Sequence, residues 1–135
     1  MLRIRVWSCL LSACCVAAGC KKGNVNDFVP PEDTAKAQLS KVLDAWKGGQ
    51  PFGPVSDGAS NIEVGEFNWQ AGKKLAGYEI VGPATGEDQN KRFTVKISLE
   101  GATAPEETVY VIFGKPTAMQ VYNQVDYKKL SGMSG

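Results

Sequence analysis

The chain has 135 residues, a formal net charge of +1 and 43% hydrophobic residues, a composition that fits one globular domain. The near-neutral charge gives no electrostatic reason to expect a nucleic-acid partner. The sequence contains no histidine, which removes the most common general base and the most common metal ligand.

The first 19 residues differ in character from the rest of the chain. Their only charges are Arg3 and Arg5, and 14 uncharged residues follow from Val6 to Gly19. That stretch is too short to cross a bilayer as a helix, which takes roughly 20 residues. A basic start, a short apolar run and the small-residue end "AAG" are typical of a secretory signal peptide.

The residues that end this segment, "VAAGC" at 16–20, resemble the lipobox of bacterial lipoproteins. The resemblance covers residues 1–20, with Ala17 where the family most often has leucine. It implies that Cys20 carries a diacylglycerol thioether and becomes an acylated N-terminus after cleavage. It also implies export and, without aspartate at position 21, attachment to the outer membrane of a two-membrane bacterium. The alternative is ordinary cleavage after Ala18 or Gly19, which would leave Cys20 as a free thiol.

The distribution of cysteines fits the lipidated interpretation. All four lie in the first twenty residues: Cys9, Cys14, Cys15 and Cys20. Cleavage before the last one leaves a single cysteine and no possible internal disulfide. A lone thiol is a liability in an oxidising compartment, whereas an acylated one is not. Cleavage also removes two of the 15 basic residues and none of the 14 acidic ones, so 13 face 14 and the mature charge is near −1.

The sequence predicts four segments. Residues 1–19 form the signal peptide, and residues 20–30 form the lipidated cysteine with a flexible, polar tether that has little to bury. A folded domain then spans residues 31–126. Residues 127–135 are expected to be a flexible C-terminal tail.

The clearest element of the domain is a helix of about 16 residues. Its apolar residues recur at the 3.6-residue period: Ala35, Leu39, Val42, Leu43 and Trp46. Pro31 and two acidic residues suit its start, and Gly48 and Gly49 suit its end. One such helix is expected to cover a sheet, with Trp46 in the core.

After a loop at 50–61, the sequence predicts four or five antiparallel strands joined by hairpins. The most regular strand alternates through Phe93, Val95, Ile97 and Leu99. Around Trp69 two interpretations remain: a strand with a β-bulge at Gly65, or a short turn that places Trp69 in the core.

The segment "TVYVIFG" at 108–114 is apolar on both faces. Its alternation is interpreted as placing Val109, Val111 and Phe113 in the core and Tyr110 and Ile112 on the other face. That second face needs a neighbouring strand layer or a partner to cover it.

The predicted fold class is α+β, with one N-terminal helix packed on a curved antiparallel sheet of 4–5 strands. The patterns "LDAWKGG" at 43–49, "WQAGKKLAGYEI" at 69–80 and a closing strand around "VYVIF" resemble the cystatin-like architecture, including small relatives of the nuclear-transport-factor-2-like group. The resemblance covers most of residues 31–125. It implies a fold and no particular activity.

No familiar catalytic or metal-binding motif is complete. "DQNKR" at 88–92 begins like a calcium loop but has Arg92 where an oxygen ligand belongs. The paired acids lie at helix starts and turns, and the inhibitory signature of cystatins is absent. We therefore predict a non-enzymatic protein with no catalytic, cofactor-binding or metal-binding residues and no nucleic-acid partner.

The leading functional interpretation is a membrane-anchored interaction or scaffold module. Tyr110, Ile112 and Tyr122 are expected to share a sheet face that binds a second copy or a protein partner. The alternative is a small-ligand-binding or enzymatic domain with a pocket between helix and sheet that contains an acid such as Glu79 or Glu100.

Overall fold

The computed structural model describes residues 29–56, 58, 61–130 and 132. The predicted signal peptide, Cys20 and all but the end of the predicted tether lie outside these residues. Along the chain the elements are α1 (Glu32–Lys47), β1 (Val55–Ser56), β2 (Asn61–Gly65), α2 (Phe67–Gln70), β3 (Leu75–Ala84), β4 (Lys91–Leu99), β5 (Glu106–Lys115), β6 (Ala118–Asn123) and α3 (Gln124–Leu130).

Helix α1 forms where the apolar periodicity predicts it. The carbonyl of Pro31 accepts a hydrogen bond from the Ala35 N–H at 2.9 Å, and the Gly48 N–H donates to Asp44 O at 2.8 Å at the other end. Its buried residues are Ala35, Gln38, Leu39, Val42, Leu43 and Trp46. The predicted helix, its length and the core position of Trp46 are therefore confirmed.

The sheet confirms the α+β class but not the predicted strand arrangement. It is strongly curled and contains six strands in the order β1-β2-β6-β5-β4-β3. Strands β3 to β6 form the expected antiparallel meander, whereas β2 pairs with β6 in parallel. The predicted number of 4–5 strands is wrong because β1, which lies inside the predicted loop at 50–61, adds a further strand. The predicted purely antiparallel arrangement is wrong because the meander returns β6 to the side of β2, where the two strands run parallel.

One face of the sheet packs against α1 and forms the core. Phe93, Val95 and Ile97 of β4 are at most 2% exposed, which confirms the predicted alternation. Burial of each large apolar side chain contributes about 1.5–3 kcal/mol to stability. The cross-strand partners of Phe93 are Pro83 on β3 and Tyr110 on β5. Paired residues share a face, so this register also fixes which side chains of β5 enter the core.

Trp69 lies in the short helix α2 and not in a strand. It is 4% exposed and stacks on Trp46, with 5.9 Å between ring centroids and an interplanar angle of 17°. Both indole N–H groups are satisfied: Trp46 donates to Lys73 O at 2.8 Å and Trp69 to Gln50 O at 2.9 Å. The turn interpretation is therefore confirmed, and the bulged strand at Gly65 is wrong.

The far face of the sheet is covered in part by α3. Tyr127 of this helix packs edge-on against Phe113, with 5.3 Å between ring centroids. Asn123 supports the start of α3, since its Oδ1 accepts a hydrogen bond from the Val125 N–H at 3.0 Å. The predicted tail boundary at residue 127 is thus wrong, because α3 extends to Leu130.

The β5–β6 hairpin yields a test of the local backbone. Gly114 has φ +107°, and a Cβ there would lie 2.4 Å from the carbonyl oxygen of Ala118. Gly101 has φ +82° with open space around it. We expect Gly101→Ala to lower the free energy of unfolding by about 1 kcal/mol through backbone strain alone. Gly114→Ala should cost more, because the hairpin must also shift.

Urea unfolding of the two variants measures the difference. Equal losses, or a smaller loss for Gly114→Ala, would show that the hairpin does not hold this backbone geometry in solution.

Candidate functional site

A groove of about 730 Å³ opens between the start of α1 and the turn that joins β5 to β6. Its lining comprises Val29, Pro30, Pro31, Thr34, Gln38, Gly114, Lys115, Pro116, Thr117 and Met119. We call it the tether groove, because Val29, the first residue that the structure describes, is part of its lining. Its volume lies within the roughly 300–1,000 Å³ of small-molecule sites.

The walls of the tether groove are mainly apolar. Pro30, Pro31 and Pro116 contribute ring carbons on a backbone whose φ angles are fixed, so these walls are stiff. Met119 is only 3% exposed and adds a polarisable side chain. Gln38 is 8% exposed and is a polar lining residue. The other polar lining residues are Thr34, Lys115 and Thr117. A concave, mainly apolar surface with a few polar groups suits a mainly apolar ligand.

Two of the three predicted interaction residues lie in the core. Tyr110 is 1% exposed and Ile112 is 0% exposed, because Tyr110 pairs with Phe93 and so faces α1. The interpretation of the segment at 108–114 is therefore wrong in its choice of face: Val109, Val111 and Phe113 point away from α1. Tyr110 and Ile112 cannot present a surface to a partner.

Tyr122 lies on the opposite face from Tyr110. In the register of β5 and β6, Val111 pairs with Tyr122 and Tyr110 pairs with Asn123. The Tyr122 ring packs beside Phe113, with 5.6 Å between centroids, and sits where a Cβ at Gly65 would lie, 2.6 Å from its Cδ2. The predicted shared face of Tyr110 and Tyr122 does not form.

The structure instead brings together a buried polar cluster around Glu66, which is 2% exposed. Its Oε2 accepts hydrogen bonds from the Tyr110 hydroxyl at 2.5 Å and from Asn123 Nδ2 at 3.1 Å. Its Oε1 accepts the backbone N–H of Asn68 at 2.9 Å, which caps α2. Nearby, the Phe67 N–H donates to Asp126 Oδ2 at 3.0 Å and links α2 to α3.

Burial is the dominant electrostatic effect on this cluster. It raises the pKa of the Glu66 carboxyl, although the hydrogen bonds from Tyr110, Asn68 and Asn123 act in the opposite direction. The neighbouring charge of Asp126 adds a small upward contribution. The pKa of Tyr110 is raised well above its usual value, first by its own burial and then by Glu66. The cluster can hold a proton, but the lack of solvent exposure closes it to a substrate.

A second polar cluster connects the β3–β4 loop to α3. Asp88 accepts a hydrogen bond from Arg92 Nη1 at 2.5 Å and one from the Tyr127 hydroxyl at 2.5 Å, while Asn90 Nδ2 donates to that hydroxyl at 2.9 Å. The guanidinium of Arg92 lies 5.6 Å from the centroid of the Tyr127 ring. Chiefly through the hydrogen bond from Arg92, the pKa of Asp88 falls to about 2.

This second cluster borders a cleft of about 270 Å³ in which Gly86 is also a lining residue. A Cβ at Gly86 would lie 2.3 Å from the guanidinium carbon of Arg92, so a larger residue there would force the end of the arginine side chain to shift. The charges of this cluster are directed at each other rather than into the cleft. Its evident role is to hold α3 on the sheet.

The acids named for the alternative function do not line a helix–sheet pocket. Glu79 on β3 and Glu100 in the turn that follows β4 are both exposed. Within the described part of the chain, no group of three or more cysteine, aspartate and glutamate side chains is arranged to bind a metal ion.

The sequence analysis did not identify Glu66 as a buried acid, because "GEF" at 65–67 resembles an ordinary turn. Its only signal is the placement of an acid one residue before a short apolar-polar helix.

The chain matches no protein-family model and no curated protein sequence. Among the residues described, no helix is both long and apolar enough to cross a bilayer. The assignment of a function therefore depends on the residues and geometry given above.

The buried Glu66 predicts a specific dependence of stability on pH. Because the folded-state pKa lies above the ordinary value of 4.5, the folded protein holds the proton more tightly than the unfolded chain. The contribution of Glu66 is fully present below pH 4.5 and is lost as the pH rises through the folded-state pKa. We expect wild-type stability to fall relative to that of Glu66→Gln as the pH increases above 4.5.

Urea titrations of both proteins between pH 4 and about 8 give this difference. Glu100→Gln, which removes an exposed carboxyl, is the matched control and should show no comparable trend. A constant offset between wild type and Glu66→Gln over the whole range would contradict the assignment.

Proposed function

We propose that the protein is an exported lipoprotein, anchored to the cell envelope by acyl groups on Cys20, whose domain is a non-enzymatic interaction module. In a two-membrane bacterium the anchor lies in the outer membrane and the domain faces the periplasm. The observation that carries the proposal is the pattern "VAAGC" behind a basic, 14-residue uncharged leader. An acyl anchor of two or more chains binds membranes stably.

The position of the domain relative to Cys20 supports this arrangement. Nine peptide steps separate Cys20 from Val29, where the described chain begins. At the maximum extension of about 3.4 Å per residue, the domain lies within roughly 30 Å of its anchor. The tether groove is at the end of the domain where the chain departs, so it is close to the bilayer.

The chemistry of the polar clusters supports a binding role over a catalytic one. Glu66 receives three hydrogen bonds and is 2% exposed. Asp88 is committed to Arg92 and Tyr127. A general acid or base must come within hydrogen-bond distance of a substrate proton. Both carboxyl groups are instead hydrogen-bonded to neighbouring groups of their own cluster. The tether groove favours small-ligand binding as the second candidate function.

Replacement of Cys20 tests the anchor. Cys20→Ala should move the protein from the membrane pellet to the soluble fraction, because no acyl group can be attached. Cys15→Ala is the matched control: it removes a cysteine from the same segment and should stay in the pellet. Ultracentrifugation with immunodetection gives the partition, and intact mass gives the acylation state.

The proposal fails if wild-type protein has no acyl groups and Cys20→Ala sediments with membranes as wild type does.

A further inference from the structure

We propose that the tether groove binds one acyl chain of the lipid on Cys20 while the protein is away from a bilayer. The inference rests on the proposed lipidation of Cys20. The ligand class assigned to the groove is a fatty acyl chain, and the chain comes from the same protein molecule.

The reach of the chain makes this contact possible. Val29 is itself part of the groove wall, and Cys20 precedes it by nine peptide steps. Nine steps cover at most about 30 Å, and a shorter separation is also accessible. A ligand on so short a linker has an effective concentration in the millimolar range, so the groove would be occupied even if its affinity for the acyl chain were low.

Burial of the acyl chain away from water is energetically favourable. Each methylene group that leaves water contributes about 0.8 kcal/mol, so a lipidated protein in water has a strong drive to bury its acyl chains. The groove offers Pro30, Pro31, Pro116 and Met119 as apolar contacts. In contrast, the 190 Å³ cleft beside Trp46 and Trp69 is smaller and lies at the other end of α1.

The volume and the lining of the groove also fit an acyl chain. Its volume of about 730 Å³ accommodates a ligand of small-molecule size. Thr34 and Gln38 are polar lining residues beside which the ester or amide of an acyl group can lie. A bilayer buries the whole lipid and competes with the groove, so the chain leaves when the protein reaches a membrane.

Photo-crosslinking of the lipidated full-length protein tests the inference. Cells are grown with a fatty acid that carries a diazirine, the protein is purified in detergent, and the detergent is diluted below its critical micelle concentration before irradiation. Peptide mass spectrometry then locates the crosslinks. We expect them at groove residues, with Thr34 and Met119 among them.

Two variants block the groove in different ways. Thr34→Trp fills it, and Thr117→Glu places a negative charge in its wall; both positions are exposed, so the core is unaffected. Each should reduce the groove crosslinks at least tenfold. Thr103→Trp, at the exposed β4–β5 turn, is the matched control and should stay within twofold of wild type. Crosslinks that persist in both groove variants, or that map to other surfaces in wild type, overturn the inference.

The competition with a bilayer supplies the last arm. In vesicles of phosphatidylethanolamine and phosphatidylglycerol, the crosslinks should pass to lipid, and an undiminished groove yield would overturn the proposed release. Intact mass separates the two proposals. Acylated protein without groove crosslinks refutes the groove alone, whereas protein without acyl groups refutes both.

Discussion

The buried carboxylate of Glu66 is the constraint on which much of this domain depends. An ionisable group at 2% exposure is costly unless donors are brought to it, and here they come from three elements: the Tyr110 hydroxyl on β5, the Asn123 amide on β6 and the Asn68 N–H in α2. Because Asn123 also caps α3, the same network sets the start of that helix. One side chain thereby fixes α2, the middle of β5, the end of β6 and the C-terminal helix with respect to each other.

The register that satisfies Glu66 also decides the two faces of the sheet. Tyr110 can reach Glu66 only if β5 turns that side chain towards α1, which sends Val111 and Phe113 to the other face. That face then needs an apolar cover, and Tyr127 of α3 supplies part of it against Phe113. The Asp88 and Arg92 pair holds the Tyr127 hydroxyl and stabilises this cover. The packing against α3 on the far face is thus a consequence of the strand register that directs Tyr110 towards α1.

The extent to which the sequence predicts this fold depends on how ambiguous each segment is. The period of α1 and the alternation of Phe93, Val95 and Ile97 each have one reasonable interpretation, and both are confirmed. At 108–114 both alternating sets are apolar, so only the pairing of Tyr110 with Phe93 could select the core face. The parallel contact of β2 with β6 is also invisible locally, because it joins segments nearly sixty residues apart. The position and lining of the tether groove were not predicted, since it arises where two segments distant in the sequence meet.

The position of the groove restricts what can occupy it. Helix α1 has 16 residues, which at 1.5 Å per residue places its two ends about 24 Å apart. The Trp46–Trp69 stack is therefore at the end far from the tether, and the groove is at the near end. If Cys20 is anchored, a folded partner would have to fit between the groove and a bilayer that lies within roughly 30 Å. Under the proposed lipidation, an acyl chain on Cys20 needs no such clearance and belongs to the same molecule, which is why we propose it as the occupant of the groove when the protein is away from a bilayer.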